Sequence, residues 1–200
     1  MSAPEARLAT SSDVSKIGEA LALAFEDDPA MTWLFGEIED RKPGLLQRYL
    51  THETGRHLRH PTVFTTDDHA GGALWDPPGH WKTNLRAILG MLPIMLPGLR
   101  FHVVTALRGL ARIEDAHDRH PEHYYLAVLG TRPDRQGHGV GSTLLQPVLE
   151  RCDQEGIGAY LESSKESNIP FYRRHGFQVV EEIRLPKGPL IYPMWRDPQE

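Results

Sequence analysis

One cysteine, Cys152, stands among 200 residues. No disulfide can close within the chain, which suits a reducing compartment. Cationic charge is also scarce. Lys and Arg total 22 against 27 Asp and Glu, a formal net charge of -5. The longest basic cluster, Arg56 to His60, is short and diluted by histidine. Phosphate backbones need a concentrated basic face, so nucleic acid is not an expected partner. Long apolar runs are missing too. The most apolar stretch, Ala87 to Leu99, is broken by Pro93 and Pro97 and flanked by Arg86 and Arg100. It is too short to span a bilayer, so no membrane partner is expected. The start, MSAPEA, has neither the basic opening nor the apolar segment of a secretory leader. The expectation is a cytoplasmic protein. With no internal repeat and no low-complexity linker, residues 1–200 read as a single domain.

The pattern that is present alternates strands and helices. Arg7 to Thr10 reads as a strand, and Thr10 and Asp13 stand at capping-box spacing, with Asp in place of Glu. Val14, Ile17, Leu21 and Phe25 follow at helical spacing, and Asp27-Asp28-Pro29 ends that helix. A second helix carries Leu45, Leu46, Tyr49 and Leu50. Thr62 to Thr66 and Ala70 to Trp75 read as a hairpin. From Pro77 to Glu122 the chain reads as helical and irregular, with stripes at Leu85, Ile88, Leu89, Leu92 and at Val103, Leu107, Leu110. Trp81, Met91, Met95 and Phe101 would add an adaptable apolar wall, either core or a lid. The second half reads strand Tyr124 to Thr131, helix Val140 to Cys152, strand Ala159 to Glu162, short helix Ile169 to His175, and strands Phe177 to Ile183 and Leu190 to Trp195. This order is that of an α/β (α+β) fold with a mixed, mostly antiparallel sheet.

The segment with the most chemistry is TRPDRQGHGVGSTLL, Thr131 to Leu145. A strand ends, Gly137, Gly139 and Gly141 alternate, and an amphipathic helix starts at once. Glycine lets the backbone approach an anion and adopt positive φ. The helix start offers unpaired N–H groups and the positive end of its dipole. Arg135 and Ser142 can add contacts. The lysine of a P-loop is missing, and the spacing is G-x-G-x-G rather than the G-x-G-x-x-G of a dinucleotide site.

This segment resembles the pyrophosphate loop of the GNAT superfamily of N-acetyltransferases, with Gln136, Gly139 and Gly141 in its Q/R-x-x-G-x-G/A positions. The likeness extends to LESSKESNIPFYRRHGF, Leu161 to Phe177, where Asn168 and Tyr172 stand four apart before a Gly-Phe turn. Within the superfamily the sequence resembles puromycin N-acetyltransferase and its relatives in RLATSSDV, AFEDDP, YYLAVLGTRPDRQGHGVGS and the final PMWR. The resemblance implies a V-shaped, mostly antiparallel sheet of about seven strands, with a cofactor-binding core over about residues 122–178. It implies acetyl-CoA as donor, no metal, a small-molecule amine as acceptor, and direct transfer. Other acyltransfers, onto a peptide N-terminus, a lysine or a hydroxyl, stay open, as does a non-catalytic acyl-CoA sensor. Many GNAT proteins pair through strand edges, so a homodimer is compatible.

Residue by residue, the resemblance implies cofactor contacts from Leu129, Gly130, Thr131, Arg135, Gln136, Gly137, His138, Gly139, Val140, Gly141, Ser142 and Asn168. An amide near Leu129 would hold the thioester oxygen, and Tyr172 would protonate the leaving thiolate. Glu162, at the end of a strand beside the cofactor, is the candidate base through water. Phe25, Asp27, Asp28 and Trp33 match the segment lining the acceptor side, where two acids would attract a cationic amine. The puromycin enzymes carry an aromatic where this chain has Asp28. The two histidine groups, His52, His57, His60 and His117, His120, His123, lie in Arg-rich segments and are expected to be solvated. His123, beside a strand, is the one that could face the cleft. Cys152 is expected in the core, on the apolar stripe of its helix.

Overall fold

The computed structural model describes residues 5–35, 44–82 and 103–199. Helices α1 (Val14–Ala24), α2 (Pro29–Phe35), α3 (Leu45–His57), α4 (Val103–His117), α5 (Val140–Glu155) and α6 (Ile169–Arg173) surround a sheet. Its strands are β1 (Arg7–Leu8), β2 (Val63–Thr65), β3 (Gly71–Asp76), β4 (His123–Thr131), β5 (Gly158–Ser163), β6 (Gln178–Val179), β7 (Ile183–Arg184) and β8 (Leu190–Arg196). The order is β1-β2-β3-β4-β5-β8-β6, with β7 also on β8. β4 and β5 are parallel neighbours, and the other pairs are antiparallel.

The local signals act as expected at the start of α1. Thr10 N–H and Oγ1 both donate to Asp13 Oδ2, at 2.8 and 2.9 Å. Arg7 grips the same carboxylate from β1 at 2.9 Å, which holds its pKa far below the usual carboxylate range. The α1 stripe then buries Ile17 and Leu21 completely, against Leu50 of α3, Leu74 and Val128. On the other sheet face α5 buries Val140, Leu144, Leu145, Val148 and Cys152 against Leu126, Ala159 and Leu161. Each such aliphatic contributes about 1.5–3 kcal/mol. A third cluster joins Ala116 and Ile113 of α4 to Ile183, Leu185 and Ile191. Among the described residues no helix is long and apolar enough to cross a membrane.

Two elements depart from the sequence reading. The Asp27-Asp28-Pro29 stop is also a start, because Asp28 Oδ1 accepts the N–H groups of Ala30 and Met31, each at 2.9 Å, and so caps α2. The strand expected from Phe177 to Ile183 is two short strands. Val180 N–H reaches Pro193 O at 3.0 Å, whereas Ile183 pairs with Ile191. Between these pairs Glu181 and Glu182 oppose Tyr192 alone, so one residue is extra next to Pro193, which has no N–H to donate. The stripe at Leu85, Ile88, Leu89 and Leu92, with Met91, Met95 and Phe101, lies outside the described residues. The second stripe does form a helix, α4, but Leu107 and Leu110 on it are exposed.

The feature that makes a site is a divergence. β4 and β5 pair from His123↔Gly158 to Leu126↔Leu161 and no further. Beyond that point β4 stays with β3, through Leu129↔Ala73, Gly130↔Gly72 and Thr131↔Gly71. β5 instead continues on β8, through Glu162↔Pro193 and Ser163↔Tyr192. A register shift between Leu74 and Trp75 passes over Ala127, so β4 bulges where the two strands part.

Candidate active site

Where the strands part there is a cleft of about 610 Å3, within the range of small-molecule sites. Its walls include Leu129, Gly130 and Thr131 of β4, and Arg135, Gln136, Gly137 and Gly139 of the following loop. Val140, Gly141 and Ser142 of α5, with Asn168 and Tyr172, complete that side. The candidate cofactor residues thus share one cavity, except His138. His138 is exposed beside it, with Nδ1 2.8 Å from the Gln136 carbonyl.

The loop is shaped by backbone. Gly139 is the residue before α5 and has φ +82°, a left-handed conformation that glycine adopts without strain. No side chain caps α5. Its first amides therefore face the cleft with nothing but a ligand or solvent to receive them. Gly130 meets a different demand. A Cβ there would lie 2.8–3.0 Å from Leu21, Ala24 and Phe25, so only glycine lets α1 ride this close to β4.

The strand also presents amides. Arg132 N–H donates to Ala70 O at 2.8 Å. Antiparallel pairs alternate, so Gly130 is the next residue bonded toward β3, and the N–H groups of Leu129 and Thr131 turn the other way. That side is the gap left by β5.

Tyr172 is buried, and among the described residues its hydroxyl has no hydrogen-bond partner. Burial, and then the charge of Asp28, push its phenol well above the usual range. It holds its proton until a stronger base arrives. The cations around the cleft are Arg135, Lys165 and Arg174. Arg135 is paired with Asp68 in the β2–β3 turn, and Lys165 with Asp27 at 2.6 Å. Arg174 lies over the Phe171 ring, 5.9 Å from its centre. Lys165, Phe171 and Arg174 were not singled out from the sequence. The signal was there, since basic residues flank the Asn168–Tyr172 helix on both sides, but helix termini often carry such charges.

The residues expected on the acceptor side separate. Phe25 and Asp28 line the cleft. Both Asp28 oxygens are already engaged, Oδ1 by the α2 cap and Oδ2 by the Ser164 hydroxyl. Asp27 is outside, exposed, and held below the usual carboxylate range by Lys165. Trp33 is in the third core cluster, where Nε1 donates to Pro186 O at 3.1 Å.

Glu162 is not a wall of the cleft. It stands two residues before Ser164 and is nearly buried, with Oε1 lacking a hydrogen-bond partner. Around it lies a cluster the sequence did not reveal. His117 Nδ1 is 3.5 Å from Glu162 Oε1, and His117 Nε2 is 2.6 Å from His123 Nε2. This corrects the expectation that the histidines are solvated. His57, His117 and His123 are 0–2% exposed. Arg59 and Arg119 are exposed, while these imidazoles turn inward to hydrogen-bonding partners. His57 bonds the Glu53 carbonyl at 2.8 Å and faces Asp76 at 3.3 Å. Cys152 is in the core as expected, and burial pushes its thiol up to about 12. Among the described residues no group of three or more His, Cys, Asp or Glu is arranged to hold a metal ion.

Comparison with known proteins agrees with this geometry. Residues 97–177 match the acetyltransferase (GNAT) family model. An uncharacterized N-acetyltransferase of Schizosaccharomyces pombe is 29% identical over 199 residues, spanning 94% of this chain and 81% of the relative. A Corynebacterium glutamicum structure described as "histone acetyltransferase HPA2 and related acetyltransferase" superposes with a TM-score of 0.67 at 23% identity, covering 100% of this chain and 98% of that one. Arylalkylamine N-acetyltransferase 2 of Aedes aegypti superposes with a TM-score of 0.66 at 14% identity, covering 98% and 99%. The chain has the GNAT fold, and residues 97–177 match the family model of the GNAT acetyltransferases.

Proposed function

We propose that this protein transfers acetyl from acetyl-CoA directly to the amine of a small molecule. The observation that carries this reading is the shared cleft. It brings together an uncapped helix start behind left-handed Gly139, the outward amides of a diverging strand, and an unbonded Tyr172 hydroxyl.

Acetyl-CoA is a substrate here, and the cleft fits its chemistry. The amides at Val140, Gly141 and Ser142 suit a pyrophosphate, with Arg174 as a further cation. Asn168 suits the amides of the pantetheine arm. The acceptor nitrogen attacks the thioester carbon, so the C–N bond forms as charge gathers on oxygen. Leu129 N–H receives that charge. As the C–S bond breaks, Tyr172 gives its proton to sulfur and recovers one from the new amide nitrogen. Glu162 takes the proton that an ammonium must lose before attack, through water, because it stands behind the cleft wall.

The acceptor is proposed to be a small amine, as in the arylalkylamine enzyme of similar fold. The motif likeness to the puromycin enzymes places an aminonucleoside beside it as an acceptor to try. The test is titration of the protein with acetyl-CoA and CoA, then thiol release with tyramine, agmatine, puromycin and an unblocked peptide. Micromolar binding and release with one of the small amines are expected. No binding of either nucleotide overturns the reading, and release with the peptide alone moves the acceptor to protein.

A further inference from the structure

The proton count of the proposed reaction, on which this inference rests, leaves one proton over. An ammonium loses two protons on becoming an amide. One returns to CoA sulfur through Tyr172, and the other must leave. Glu162 can take it, but behind Glu162 the structure holds more proton-carrying groups than one base requires.

The tautomers of that cluster are fixed by its contacts. His123 Nδ1 is 2.6 Å from the Pro121 carbonyl, which can only accept, so Nδ1 carries the proton. Burial lowers the His123 pKa to about 4, and the ring is neutral. Its Nε2 is therefore a lone pair. His117 Nε2 stands 2.6 Å from that lone pair, so this nitrogen must donate. A neutral His117 then has one basic atom left, Nδ1, and it faces Glu162 Oε1 at 3.5 Å. Trp81 stacks flat on the His117 ring at 3.6 Å and 13°, which keeps that direction.

We propose that His117, oriented by His123, is a positioning residue that receives the acceptor's proton from Glu162. The carboxyl O–H breaks as the Nδ1–H bond forms, and Glu162 is again a carboxylate for the next amine. The resulting imidazolium keeps both neighbours, giving one N–H to Glu162 and one to His123. It releases its proton to solvent between turnovers. The groups facing this pair are consistent with the assignment. Tyr125 of β4 and Tyr160 of β5 are pushed up by burial and by the charge of Glu162, so both stay neutral. His120 and Arg119 after α4, Asp76 of β3 and Glu181 beyond β6 are the other titratable neighbours. His120 is lowered by burial, and so adds no competing cation at neutral pH.

His117→Gln tests it, since glutamine can still donate toward His123 yet has no basic atom for Glu162. With tyramine as acceptor, kcat/KM at pH 7 should fall about 100-fold, the scale of a lost acid–base group. It should then rise about tenfold per pH unit toward the amine's own pKa of about 10, where free amine needs no base. An equal loss at pH 7 and pH 9.5 would mean a structural role and overturns the proposal. A second measurement does not need an acceptor. In 15N-histidine NMR, His123 should show a protonated Nδ1 throughout pH 6–8. At neutral pH His117 should carry its proton on Nε2, and Glu162→Gln should move the His117 Nδ1 shift while leaving those of His123 in place. A His117 protonated on Nδ1 in place of Nε2 overturns the proposal. If no amine is turned over, the acetyl-transfer reading falls, and the NMR titration still decides whether Glu162 and His117 share the proton.

Discussion

The cleft and the histidine cluster occupy neighbouring stretches of β4, and they are built in opposite ways. From Leu129 to Ser142 the cleft is made of one continuous piece of chain, and its proposed anion chemistry is backbone chemistry. The cluster takes Trp81, His117, His123, Tyr125, Tyr160 and Glu162 from four separate segments, and its chemistry is all side chain. The first depends on conformation and the second on burial. A change that wrecks one should therefore leave the other readable.

The largest expected effect comes from Gly139→Glu. Its Cβ would meet nothing within 4 Å, so the damage comes from the left-handed backbone and the new carboxylate rather than a clash. Affinity for acetyl-CoA and for CoA should fall roughly 100-fold or more, by titration calorimetry. The histidine NMR signals should not move. If they do, the two regions are coupled and the comparison fails.

Next is Tyr172→Phe. It should lower kcat about 100-fold and leave the KM for acetyl-CoA nearly unchanged, because only the proton donor is lost. Unchanged turnover with a good acceptor would remove Tyr172 from the proposed chemistry.

Acid separates the regions in another way. His123 has a folded pKa of about 4, below its unfolded value near 6.5. In that window the unfolded chain binds more protons, so stability is whole above pH 6.5 and is lost as pH falls toward 4. The loss is at most about 3 kcal/mol. Asp13, held low by Arg7 first and then by His69 and Thr10, adds its own loss only below about pH 4. Urea melts from pH 8 to pH 3 should show these two steps. His123→Gln should flatten the upper one alone.

The smallest effect expected is none at all. Cys152 is fully buried with its thiol pushed up to about 12. It should resist a thiol reagent at pH 8 and react only as the chain unfolds. Fast labelling in the native state would mean that the apolar layer under the cleft opens.

Much of this was readable without coordinates wherever the physics is local. The Thr10–Asp13 box, the α5 stripe and the glycine loop each depend on residues a few positions apart, so spacing alone carries them. The V-shaped sheet and the amide near Leu129 were implied only by the likeness to the GNAT loop, because the parting of β4 from β5 depends on strands far apart in the chain. Helix α2 was missed because Asp28 both ends one element and caps the next. The residues near Phe25 divided in three, since a helix turn sends Phe25 to the cleft, Asp27 to Lys165 and Trp33 into a core cluster.

The chain by itself determined a strand, a glycine turn and an amphipathic helix in direct succession, because conformation there is set by immediate neighbours, and the anion cradle is proposed from that succession. Only the tertiary structure decided what the histidines do. Nothing in the sequence separates a histidine that reaches water from one that turns under a tryptophan. That choice belongs to the end of α4, which lays His117 between His123 and Glu162, residues that meet only once the chain has folded.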